Sequence, residues 1–132
     1  MQTIKLQGKV SSGQGGGTKF LSLPWVQKQI IEKLGFKPFP GTLNLRLTKE
    51  SVQTKKELIA TQKAITIVPV KGFCCGLCYK VHIMDKIDGA IIIPQVPDYP
   101  EDLLEVTAPV SLRRTLRLRE GDEVRLRIYP PE

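Results

Sequence analysis

The stretch Leu77-Cys-Tyr-Lys-Val-His-Ile-Met84, followed shortly by Ala90-Ile-Ile-Ile-Pro94, reads as two strands in direct succession. Ala90 to Pro94 is the longest apolar run in the chain, and it is strand-sized. Working outward, Ala64 to Val70 reads as a strand before this pair. Gln95 to Glu101, with Pro97 and Pro100, is a loop after it. Leu103 to Thr107 is a further short strand. Leu43, Leu45 and Leu47 alternate with Asn44 and Arg46, which is the period-two signature of a strand. Thr3 to Val10 alternates too, with Ile4, Leu6 and Val10 on one side and Lys5, Gln7 and Lys9 on the other. Lys19 to Leu23 is expected to be a second strand, forming a hairpin with the first around the glycine-rich Ser11 to Gly17. Glu120-Gly-Asp122 is a turn that leads into a last strand, Glu123 to Tyr129.

Helical signals are fewer. Pro24 to Leu34 carries Val26, Ile30 and Leu34 on one face, with Pro24 in the first turn and Gly35 where a left-handed residue ends a helix. Lys33 in the last turn suits the helix dipole. Pro109 to Leu116 is expected to be a short helix started by its proline. Phe36 to Gly41 is a connector, and Thr48 to Gln62 is polar with no assigned structure. Seven or eight short strands with two short helices predict a mainly β chain folded as a closed or nearly closed barrel. Strands do not alternate regularly with helices, which argues against a doubly wound parallel sheet.

The 132 residues are expected to form one domain, 1–132. Apolar residues make up 41%, enough for a core, and no run approaches the roughly 18 apolar residues of a membrane span. The N-terminus lacks an apolar signal core, and three cysteines crowded into Cys74–Cys78 form no disulfide framework. A reducing, cytoplasmic setting is expected. The net charge of +7 favours anionic partners, either nucleic acid or a polyphosphate nucleotide.

Three segments can carry chemistry. Gly13-Gln14-Gly15-Gly16-Gly17-Thr18 can turn successive backbone N–H groups toward one anion. It matches neither a dinucleotide fingerprint, since no helix is expected directly after it, nor a Walker A loop, since no Gly-Lys-Ser/Thr ends it. Read alone, it is equally a flexible hairpin loop. Thr42 and Asn44 lie at i and i+2 of a strand, so both can aim neutral oxygens at one hard cation such as magnesium. The plainer alternative is the polar face of an ordinary strand. Glu105 to Arg114 places Glu105 on a strand and Ser111 and Arg113 near a helix start, an anion-attracting place. There too a surface carboxylate paired with an arginine is the plainer reading.

Taken in order, these segments resemble the CTP-dependent riboflavin kinases. The residues that carry the likeness are Gly8-Lys-Val-Ser-Ser-Gly-Gln-Gly-Gly-Gly17, Phe20-Leu-Ser-Leu-Pro24, Leu34-Gly-Phe-Lys-Pro38 and Gly41-Thr-Leu-Asn-Leu45. They continue with Ile87-Asp-Gly-Ala-Ile-Ile-Ile-Pro94, Leu104-Glu-Val-Thr-Ala-Pro109 and Leu112-Arg113, then Leu116-Arg-Leu-Arg-Glu-Gly-Asp122. Each piece is weak, but the ordered set spans nearly the whole chain. The resemblance implies a six-stranded cradle-loop barrel that moves the γ-phosphoryl of CTP to riboflavin, giving FMN and CDP. It implies that Gly13 through Thr18 hold the nucleotide, together with Val110, Ser111, Leu112 and Arg113. It implies that Thr42 and Asn44 hold magnesium and that Glu105 contacts the flavin. Glu105 is also the leading carboxylate for a catalytic role, although binding is what the resemblance implies. Members of the family usually carry a flavin-contacting threonine where Pro97 stands here. Proline has no side-chain donor, which leaves Asp98 or Tyr99 to make that contact.

Cys75 and Cys78 have Cys-x2-Cys spacing, but only Cys74 and His82 are near, so buried thiols are expected rather than zinc. Trp25 is expected in the core, and Tyr79 and Tyr99 are candidates to stack on a flavin ring. The arginine-rich Leu112 to Ile128 also resembles the swapped-hairpin transcription factors of the AbrB type, which keeps a nucleic-acid-binding barrel as the alternative. A non-catalytic flavin- or nucleotide-binding module is a third reading. On the kinase reading the partners are riboflavin and a nucleotide, the chain is a monomer, and neither membrane nor nucleic acid is needed.

Overall fold

The computed structural model describes residues 3–12, 17–72 and 74–128, with backbone alone for 17–19. In chain order the elements are β1 (Ile4–Ser11), α1 (Gly17–Ser22), α2 (Pro24–Leu34), β2 (Leu43–Leu47), α3 (Lys49–Thr61) and β3 (Ile65–Ile67). They continue with β4 (Gly76–Ile83), β5 (Ile87–Pro94), β6 (Leu103–Thr107), α4 (Leu112–Thr115) and β7 (Glu123–Ile128). The strands pair antiparallel in the order β3-β4-β5-β6-β2-β1-β7, and β4 also pairs with β7. That last pairing closes six strands into a barrel and leaves β3 as an appended edge on β4. Among the described residues no helix is long and apolar enough to cross a membrane.

Period two explains the interior. Leu6, Val10, Leu43, Leu45, Val81, Ile83, Ile91, Ile93, Leu104, Val106, Val124 and Leu126 point inward as one buried cluster. The intervening side chains of β4 and β5 face outward, and a second cluster covers them. There Cys78, Ala90 and Ile92 meet Leu21 of α1, Val26, Ile30 and Leu34 of α2, and Ile67 of β3. Amphipathic α2 thus lays its predicted stripe on the outer wall, and Gly35 ends it with φ of 84°, a left-handed value that glycine adopts without strain.

Several expectations are corrected. Lys19 to Leu23 is not a strand: residues 17–22 form α1, and Phe20 packs edge-on to Trp25 with ring centroids 5.9 Å apart. The physical reason is sheet occupancy. Both edges of β1 are already taken, by β2 and by β7, so no free edge is left for a hairpin partner. A helix therefore does follow the glycine-rich segment. The helix near Pro109 starts later, at Leu112. Ser111 caps it, its Oγ accepting from the Arg114 N–H at 3.4 Å, while the Ala108 carbonyl is held by the Phe39 N–H at 2.8 Å. The polar segment Thr48 to Gln62 is helix α3, whose N-cap Thr48 accepts from the Ser51 N–H at 3.2 Å. Ala64 to Val70 contracts to the three residues of β3, whereas the strand begun at Ala90 starts earlier, at Ile87.

Candidate active site

Strand register builds the site. Ser11 of β1 pairs with Asn44 of β2, Asn44 pairs with Glu105 of β6, and Glu105 pairs with Ile92 of β5. Paired residues share a sheet face, and Ile92 belongs to the outer cluster. Ser11, Asn44 and Glu105 therefore form a row across the outside of the barrel, with neighbouring strands about 4.8 Å apart. Thr42 lies two residues before Asn44 and shares its face.

Glu105 is fully buried, and both of its oxygens are engaged. Thr42 Oγ1 donates to Oε1 at 3.1 Å, and the Tyr99 hydroxyl donates to Oε2 at 2.7 Å. Burial first, and the bond into the carboxylate second, push the Tyr99 phenol far above its usual range, so it remains a donor at neutral pH. Asn44 is buried at 8% exposure, and its Oδ1 has no hydrogen-bond partner. Thr107, two residues after Glu105 on the same strand, is buried with its Oγ1 likewise unpartnered. Buried side-chain oxygens are nearly always paired, so two orphans flanking one carboxylate mark a place prepared for further atoms.

The nucleotide candidates assemble at the next corner. Thr42, Val110, Ser111, Leu112 and Arg113 line one cavity of about 110 Å³, with Phe39 at its apolar side. Arg113 reaches toward the Ser11 carbonyl at 3.5 Å and the Glu120 carboxylate at 3.9 Å. Ser12, at the mouth of the glycine-rich segment, donates from both N and Oγ to Glu120 at 2.9 Å each. The entry to that segment is thus clamped beside Arg113. Gly13, Gln14, Gly15 and Gly16 lie outside the described residues, and Gly17 and Thr18 are described only as backbone of the first turn of α1.

Of the sequence-predicted residues, the fold brings together Thr42, Asn44, Glu105 and Tyr99, and beside them Val110 through Arg113. Pro97 lies in an exposed turn. A larger cavity, about 280 Å³, lies between the start of α3 and strands β1 and β7 and contains none of the predicted residues. Its size does not make it the site, because Thr42, which shares the face of unpartnered Asn44, lines the smaller cavity instead. Sequence reasoning missed Thr107 and Lys55. Thr107 carried a signal, since it sits at i+2 from Glu105. Lys55 carried none, as it lies in the segment left unassigned.

Among the described residues no three His, Cys, Asp or Glu side chains cluster as a metal site. Cys78 is buried and Cys74 exposed, and His82 Nδ1 lies 2.6 Å from Asp88 Oδ1 instead. The donor set on offer is different: one orphan amide oxygen, and one hydroxyl whose proton is spent on Glu105 while its lone pairs are not. Neutral oxygens suit a hard cation that brings its own anionic ligand.

The class so defined is a closed six-stranded antiparallel barrel with its polar cluster on the outer face of β2 and β6. A family model for the CTP-dependent riboflavin kinase domain, described as "Domain of unknown function DUF120", matches residues 10–128. The chain is 42% identical over 132 residues to a riboflavin kinase of Methanococcoides burtonii, covering 95% of this chain and 57% of the relative. It is 40% identical to one from Archaeoglobus fulgidus, covering 96% of this chain and 55% of the relative. Against one from Ignicoccus hospitalis the identity is 38%, with 96% and 72% covered. The chain thus spans little more than half the length of several of the curated relatives it matches. This chain belongs to the CTP-dependent riboflavin kinase domain family.

Proposed function

We propose that this chain transfers the γ-phosphoryl group of CTP to the ribityl 5′-hydroxyl of riboflavin, giving FMN and CDP. The observation that carries the reading is the row Ser11–Asn44–Glu105. It sets the mouth of the glycine-rich segment, a neutral oxygen donor and a buried carboxylate side by side, which supports a nucleotide, a metal and an acceptor meeting along one row.

In this reading Thr42 Oγ1 and Asn44 Oδ1 hold a magnesium ion. When bound, that ion offsets charge on the phosphate oxygens. Glu105 fixes the Thr42 hydroxyl by accepting its hydrogen bond, which leaves the Oγ1 lone pairs for the ion. The same carboxylate orients the acceptor. Both of its oxygens already accept hydroxyl hydrogen bonds and each keeps a second lone pair for a ligand's donor group, which suits binding more than removal of a proton. Tyr99 stands where Pro97 offers no donor, and its half-buried ring gives a flat surface to the flavin. Backbone N–H groups of Gly13 to Thr18 cradle the phosphates, and Arg113, beside Ser11, adds positive charge there. Val110 to Leu112 hold the cytosine, with Phe39 and Val110 as apolar contacts. The cavity is small beside the roughly 300–1,000 Å³ of ligand clefts, so it receives only part of the nucleotide.

The test is incubation with riboflavin, magnesium and each of the four nucleoside triphosphates in turn, with flavin products separated by chromatography. FMN with CTP, lost on chelation, is expected. No FMN with any donor would remove the kinase reading. FMN with ATP alone would remove the cytosine assignment.

A further inference from the structure

Lys55 projects from α3 into the interior and is only 5% exposed. A buried ammonium normally has a carboxylate beside it. Here the two candidates are engaged elsewhere: Glu101 pairs with Lys56 at 2.9 Å, and Asp102 with Arg46 at 2.9 Å. Lys55 Nζ donates instead to two backbone carbonyls, Glu101 O and Leu103 O, both at 3.1 Å. It also lies 5.6 Å from the centroid of the Tyr99 ring, within cation–π range. Desolvation lowers its pKa, which Asp102 and Glu101 partly oppose. The ammonium is thus held by backbone carbonyls and a ring face rather than by a carboxylate of its own.

The contacts form a chain that ends at the site. Glu101 and Leu103 bracket the turn into β6, which Leu47 N also grips through the Asp102 carbonyl at 2.7 Å. Tyr99 enters that turn, and its hydroxyl donates to Glu105. Glu105 in turn takes the Thr42 hydroxyl and faces Asn44 across the strand pair. We infer that Lys55 is a positioning residue for acceptor binding: by fixing the turn before β6 and one face of Tyr99, it makes the Tyr99 hydroxyl hold Glu105 in its ligand-binding orientation. This rests on the kinase reading above. Lys55 touches no reactant in it and acts only through Tyr99.

The experiment is a double-mutant cycle in the full chain with Lys55→Met, Tyr99→Phe and both together. Riboflavin affinity is read by quenching of flavin fluorescence, KM for riboflavin and for CTP by turnover, and folding by thermal melting. Wild-type turnover of riboflavin comes first, and its absence overturns the kinase reading itself. Given turnover, each single variant is expected to weaken riboflavin binding roughly tenfold, with KM for CTP within about twofold of wild type. The double variant is expected to be no worse than the weaker single one. Multiplying effects would overturn the relay. So would a Lys55→Met protein that melts earlier yet keeps its riboflavin KM, since that is a plain structural role. Tyr99→Phe removes a single oxygen and keeps the ring. If Lys55→Met fails to fold, unchanged riboflavin affinity in Tyr99→Phe still overturns the proposal, and a roughly tenfold loss with CTP unaffected supports it.

Discussion

Asn44 holds its side-chain oxygen in a buried position without a partner, a state that costs about 1–3 kcal/mol unless something binds there. Replacement by alanine removes that penalty along with the proposed ligand. Asn44→Ala is therefore expected to fold and melt much as the wild type does, while FMN formation falls by roughly two orders of magnitude. Calorimetry and a turnover assay on the same sample check this. Full activity in the variant would take the metal away from Asn44. At this scale much was legible from sequence. Thr42 and Asn44 stand two apart on an alternating strand, and Glu105 lies in another. What could not be read was register: nothing local says that Asn44 faces Glu105 rather than its neighbours. Lys55 was invisible for another reason, because a lysine in a polar segment normally points to water.

At the scale of elements, close strand approach depends on two glycines. A Cβ on Gly89 would lie 2.3 Å from the Thr107 carbonyl, and one on Gly8 would lie 2.7 Å from the Arg46 carbonyl. Backbone cannot give way there without parting the strands. Gly89→Ala is expected to destabilise the fold by about 1–3 kcal/mol, read as a lower denaturant midpoint. An unchanged midpoint would mean that β5 and β6 do not pack this closely. The glycine also borders Thr107, so such a variant tests the wall behind the site. Helix α2 was readable to the residue because its stripe is apolar throughout. Helix α3 was not, because its buried residues Ser51, Lys55 and Leu58 are two-thirds polar and show no apolar period. For α1, the five residues Lys19 to Leu23 expected to be a strand were too few to separate period two from 3.6. The decision lay in the occupied edges of β1, which are a tertiary fact.

For the molecule as a whole, the barrel class followed from counting strands, but closure did not. It rests on His82 facing Arg127 and Ile83 facing Leu126, pairs more than forty residues apart in sequence with no local signal. The folded whole also has a signature in pH. Burial pushes the Cys78 thiol up to about 12 from 9.0, with Lys33 opposing. The folded chain keeps this proton where the unfolded chain sheds it. The thiol's contribution to stability is thus fully present below about pH 9 and is lost as pH climbs toward 12, by up to about 1.4 kcal/mol per pH unit. Tyr79 and Tyr99, both raised from 10.0, act in the same sense at higher pH. Lys55, lowered from 10.5, acts in the opposite sense. Cys78→Ala is expected to flatten the fall in Tm between pH 9 and 11. An identical slope in the variant would show that the thiol is not buried as described.

The most direct measurement is a structure of the full chain with CTP, magnesium and riboflavin bound. The account predicts one ion with Asn44 Oδ1 and Thr42 Oγ1 both about 2.0–2.1 Å away, the triphosphate toward Ser11 and the flavin toward Glu105. An ion held elsewhere, with Asn44 Oδ1 still unpartnered, would contradict it.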